Sequence, residues 1–117
     1  MPAVLCLLLA GEGQAGQAGE VFETFTLPNG ARIVLSSHNR YTDGVVVARF
    51  HVGARQEATG RSGLAHFLEH LTFKGDWPGP RGDNASTSFD ETEYHSRFEE
   101  GRVKHALWPE SWRMGDS

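Results

Sequence analysis

The sequence predicts an α+β fold, an antiparallel sheet covered by helices, and three observations carry that expectation. Two β-rich runs flank a Pro28-Asn29-Gly30 turn. A valine-rich run follows from Val45 to Val52. The hydrophobic period then lengthens from two to that of a helix, with Leu64, Phe67, Leu68 and Leu71 spaced i, i+3, i+4, i+7.

The elements follow in order. Val21-Phe22-Glu23-Thr24-Phe25-Thr26-Leu27 is rich in β-branched and aromatic residues, and Asn29-Gly30 is a strong signal for a turn between paired strands. Ala31 to Ser36 reads as the second strand and Ser37 to Asp43 as a polar loop. Val45 to Val52, closed by Gly53, reads as the third strand of a meander with one covered face. The helix that follows has Thr59 or Ser62 as candidate caps and Gly75 as a candidate stop. Its apolar stripe is expected to pack on the sheet. Asp76 to Asp83, with Pro78, Gly79, Pro80 and Gly82, reads as a loop, and Asn84 to His95 as a strand or hairpin. From about Glu99 to Met114 the pattern is weakly helical through Val103, Ala106 and Leu107. Pro109 is expected to interrupt it, because an interior proline removes a hydrogen bond and clashes with the preceding turn.

Composition narrows the function. The chain has 117 residues, enough for one small core, with 38% hydrophobic and 22% charged residues. The net charge is −4 and no basic patch gathers, which argues against nucleic acid as a partner. Cys6 is the single cysteine, so no internal disulfide forms. Ala3 to Ala10 is apolar but too short to span a bilayer as a helix, and small and polar residues follow from Gly11 to Gly19. Residues 1–20 therefore read as a disordered tail or a clipped signal peptide, with export to the periplasm or medium as the expectation, although no Lys or Arg precedes the apolar run. Residues 21–117 form the expected domain.

The chemistry concentrates in His66-Phe67-Leu68-Glu69-His70. At 100° per residue, positions 66, 69 and 70 fall within about 100° of arc on one helix face. Two imidazoles one turn apart can hold a zinc ion, and a carboxylate beside them can take a proton from a water that the ion activates. His66 and His70 are thus candidate metal ligands and Glu69 the candidate catalytic base. The alternative is a solvated helix face with Glu69 in a weak ion pair. A catalytic zinc usually has three protein ligands. Glu91, Glu93, Glu99, Glu100 and Glu110 are the candidates for the third, and their spacing singles out none. His38, His51, His95 and His105 read as ordinary structural or surface residues.

These residues resemble a known family. Gly63-Leu64-Ala65-His66-Phe67-Leu68-Glu69-His70-Leu71-Thr72-Phe73-Lys74-Gly75 is similar to the zinc-binding helix of the pitrilysin-type (M16, inverzincin) metallopeptidases. Phe25-Thr26-Leu27-Pro28-Asn29-Gly30, His51-Val52-Gly53-Ala54-Arg55, Asn84 through Tyr94, and Ala106 through Gly115 resemble the flanking segments. The resemblance implies that His66 and His70 bind Zn2+ and that Glu69 activates water for peptide hydrolysis. It also implies that Asn84 and Ala85 lie on an edge strand along which a peptide or unfolded protein substrate is laid. It implies a third ligand, a glutamate beyond the reach of this sequence, and a second M16-type half or subunit that closes over the substrate. Gly75 to Asn84 is shorter than in relatives, and Pro109 and Trp112 replace an aliphatic and an acidic residue. The chain therefore reads as an N-terminal fragment, an incomplete half-domain of a zinc endopeptidase that is weakly active or inactive. A non-catalytic peptide-binding subunit and a gene remnant are the alternatives.

Overall fold

The computed structural model describes residues 3–10, 21–38, 43–74 and 83–114. They form a six-stranded sheet with two α-helices, an α+β arrangement. The strands are β1 (Ala3–Ala10), β2 (Val21–Thr26), β3 (Arg32–His38), β4 (Gly44–Phe50), β5 (Asn84–Thr87) and β6 (Thr92–Phe98). The helices are α1 (Leu64–Lys74) and α2 (Val103–Arg113), and a single 3₁₀ turn spans Ala54–Gln56. The spatial order is β2-β3-β1-β4-β6-β5.

The first hairpin follows its turn chemistry. Gly30 sits at φ 85°, where a side chain would be strained. Its amide donates to Leu27 O at 2.9 Å, and Asn29 Oδ1 accepts the Ala31 amide at 3.0 Å. β2 and β3 then pair antiparallel from Thr26↔Arg32 outward.

The expected meander is altered at one place. β4 does not lie beside β3, because β1 stands between them, parallel to β3 and antiparallel to β4. Residues 3–10, expected within a tail or clipped signal, thus form an interior strand. An uncharged apolar run suits a strand flanked by others along both edges as well as it suits a signal. Residues 11–20 and the loop expected at 76–82, with the Gly75 stop, lie outside the described residues.

β4 and β6 show period-two burial. Val46 and Ala48 are buried opposite Ser96 and Tyr94, while Arg49 is exposed and Glu93 half-buried on the other face. The core gathers on that first face: Ile33, Val46, Ala48, Tyr94 and Phe98, closed by Ala106 of α2. Pro109 does not interrupt α2; the helix runs through it and buries it. The lost backbone bond is offset by packing, since Val103, Ala106 and Leu107 share the sheet-facing side.

Glu110 is also buried in α2, at 0% exposure, with Ser96 Oγ donating to its Oε1 at 3.2 Å and Arg113 paired to the same oxygen. Burial pushes its carboxyl above the ordinary carboxylate value, although Arg113 opposes the shift. Asp83 is raised for the same first reason.

α1 is rotated relative to expectation. Ala65 and Glu69 are buried and Thr72 is half-buried, whereas Leu64, Phe67, Leu68 and Leu71 are 41%, 58%, 52% and 45% exposed. On a helical wheel the apolar stripe is centred roughly 115° to one side of the buried face, and His66 and His70 roughly as far to the other. The small Ala65 and a hydrogen bond from β5 to Glu69 hold this rotation, as described next.

Candidate metal centre

Three tethers aim α1. The first is a carboxylate cap. Glu57 Oε2 accepts the Gly63 amide at 2.7 Å, and its Oε1 accepts the Ala65 amide at 2.8 Å. These are donors that the first turn leaves unpaired. The cap comes not from Thr59 or Ser62 but from further upstream, across a loop turned by Gly60 and Gly63, both at positive φ.

The second tether joins the segment before α1 to the β5–β6 turn. The Ala54 amide donates to Ser88 O at 3.1 Å and the Arg55 amide to Phe89 O at 2.8 Å. A Cβ on Gly53 would lie 2.4 Å from Ser88 O, so only glycine permits this approach. Arg55 Nε adds an exposed ion pair to Asp90 at 3.1 Å.

The third tether reaches the chemistry. Thr87 Oγ1, on β5, donates to Glu69 Oε2 at 2.5 Å. Glu69 is 7% exposed, lying between the helix and the sheet.

Above that carboxylate, His66 and His70 are exposed, with ring centroids 4.6 Å apart and Nε2 atoms 3.0 Å apart. Two such nitrogens facing each other need a proton or a cation between them. Two nitrogens held about 2.0–2.1 Å from one tetrahedral zinc stand about 3.3 Å apart, so the pair fits within a few tenths of an ångström. One ligand atom from each of His66, Glu69 and His70 lies within 4.8 Å of the others. Zinc fits the two imidazoles as ligands, with the Glu69 carboxylate close beside them.

The third-ligand candidates do not join them. Glu91 and Glu93 pair with Arg49, Glu99 and Glu100 are exposed beyond the end of β6, and Glu110 is buried against Arg113. His95 lies 3.4 Å from Glu93. Among the described residues, no further carboxylate or imidazole forms a cluster with the two histidines.

Asn84 and Ala85 lie on β5, which is the sheet's edge. The Ser88 amide donates to Glu91 O at 2.8 Å, so antiparallel alternation makes 86–93 and 84–95 the hydrogen-bonded pairs. The main-chain groups of Ala85 and Thr87 then face the open edge. In agreement, the Ala85 amide turns to Asn84 Oδ1, at 2.9 Å, rather than to β6. Sequence reasoning missed Glu57 and Thr87. Thr87 was within reach, because residues 85 and 87 share one strand face.

A helix that presents His-x-x-Glu-His beside an open strand edge, on an α+β scaffold, defines the class of metal-dependent peptidases. The chain belongs to the insulinase family, peptidase family M16, which it matches over residues 33–108. It is 32% identical over 120 residues to the zinc protease PqqE of Helicobacter pylori, a match covering 92% of this chain and 27% of that protein. It is 33% identical over 96 residues to a probable mitochondrial-processing peptidase subunit beta of Arabidopsis thaliana, covering 70% of this chain and 18% of that one. The crystal structure of the periplasmic protease PqqL from Escherichia coli superposes with a TM-score of 0.64 at 29% identity, over 79% of this chain and 12% of that chain. The chain thus spans about a quarter or less of the length of these relatives.

Proposed function

We propose that this chain carries the metal-binding and peptide-docking part of a zinc-dependent endopeptidase, with residues 21–117 as part of its N-terminal metallopeptidase domain. One observation carries the reading: two imidazole nitrogens 3.0 Å apart and a buried carboxylate share one helix turn beside an open strand edge.

When bound, zinc supplies a Lewis acid that polarises a peptide carbonyl and acidifies a water. His66 and His70 would hold it. Glu69 takes the proton of the attacking water and delivers it to the leaving amine. β5 receives the substrate. An extended segment laid beside Asn84 and Ala85 gains main-chain hydrogen bonds from Ala85 and Thr87 with little demand on sequence, which suits unfolded polypeptide. The remaining ligand comes from outside the described residues, and a second M16-type half or subunit closes the site. The relatives named as subunits of mitochondrial-processing peptidases support a paired assembly. The periplasmic relative supports export. No helix among the described residues is long and apolar enough to cross a membrane.

The test is zinc uptake and cleavage of an unstructured fluorogenic peptide. Glu69→Gln retains zinc and loses about 10²–10⁴-fold in cleavage rate. Zinc uptake that His66→Ala and His70→Ala leave unchanged would overturn the assignment. A second reading is a peptide-binding module without hydrolysis, favoured by the absence, among the described residues, of a third ligand beside the two histidines and Glu69. Peptide binding with zinc bound and no cleavage would select it.

A further inference from the structure

Resting on that reading, we infer that Thr87 is a positioning residue that keeps Glu69 a base by holding its carboxylate away from the metal. Glu69 is unusual among the three site residues. Both histidines are exposed, whereas its carboxylate is turned inward and tied to the sheet. The tie is a hydroxyl on another element, Thr87 Oγ1, at 2.5 Å from Oε2. Thr92 Oγ1, which donates to Val52 O at 2.8 Å, lies 3.5 Å from that hydroxyl. With Glu69 ionised, the Thr87 proton points to the carboxylate, because an ionised carboxylate can only accept.

The need for such a tether follows from the donor set. The carboxylate is close enough to the two imidazoles to be counted with them, and the two histidines alone leave zinc short of protein ligands. An untethered Glu69 would be drawn onto the ion as the third ligand, and a carboxylate so engaged is lost as a proton acceptor. Thr87 opposes this. Its main chain faces the open edge of β5, so the base is referenced to the strand where peptide would lie rather than to the metal.

This predicts effects of opposite sign, which loss of structure would not produce. Thr87→Val removes the hydroxyl at nearly constant shape. Zinc affinity of the full chain, measured by competition with a chromophoric chelator, should rise about tenfold, and peptide cleavage should fall about tenfold, the low end of what outer-sphere partners of a metal site usually command. Thr87→Ser should rescue both. Adding Glu69→Gln to Thr87→Val should abolish the gain in affinity. If Thr87→Val fails to fold by circular dichroism, Thr87→Ala is read the same way. Zinc binding by Thr87→Val no tighter than wild type would overturn the inference while leaving the metal site standing. A wild-type chain that takes up no zinc would overturn the metal reading and this one together.

Discussion

Glu57 caps the helix that bears both histidines: its Oε1 accepts the Ala65 amide at 2.8 Å while its Oε2 takes the Gly63 amide. The carboxylate also complements the positive end of the helix dipole. Glu57→Ala should cost about 1 kcal/mol, the usual worth of a lost cap. Amide exchange at Gly63 and Ala65 should accelerate, and zinc affinity should fall with it. Unchanged protection of those two amides would refute the cap.

Gly53 is the tightest steric point in the chain between β4 and α1. Gly53→Ala places a methyl against Ser88 O and the Phe89 carbonyl, both backbone groups that cannot swing aside. The expected loss is about 1–3 kcal/mol, as for other overpacked sites. A thermal or urea melt measures it, and Gly63→Ala serves as the comparison, because Gly63 has open space and only its φ of 87° to strain.

The rotation of α1 makes a paired prediction. Leu71→Gln, on the exposed stripe, should change stability by less than about 0.5 kcal/mol in a urea melt. Ala65→Leu, on the buried side, should destabilise by about 1–3 kcal/mol. The reverse ranking would mean that the stripe, not Ala65, meets the sheet.

Burial sets the pH dependence at α2. The Asp83 and Glu110 carboxyls are both raised above their ordinary values, chiefly by desolvation. For such groups the folded state holds protons that the unfolded state has released. Their contribution is therefore fully present below the unfolded pKa and lost as pH rises through the folded pKa. Asp83→Asn should flatten the decline in melting temperature on going from acidic to neutral pH. Glu110→Ala should destabilise at all these pH values, by about 3 kcal/mol or more, because it removes the carboxylate that faces the buried Arg113 guanidinium.

Much of the fold was legible from local chemistry. Asn29-Gly30 marked the first hairpin, Val45 onward marked β4, and the 64–71 spacing marked α1, since turns and periodicity are read within a few residues. What escaped was non-local. The apolar stripe of α1 names a face but not the surface it meets, and the tethers from Glu57 and Thr87 decided otherwise. The passage of α2 through Pro109 depended on contacts with β4 and β6 that no local rule weighs. At the site, His66, Glu69 and His70 were visible because one helix turn brings them together. Thr87 came from a strand eighteen positions away in sequence, and register between elements is not written in either one alone.

β5 is only four residues long, and just Ala85 and Thr87 turn their main chain outward. A polypeptide laid there would be gripped at two alternate positions, by at most about four bonds, since each residue offers one donor and one acceptor. So small a handhold gives brief residence and little discrimination by side chain. What it would select, on the proposed reading, is shape: a stretch already extended and free of its own fold could align with it, and a native helix or buried strand could not.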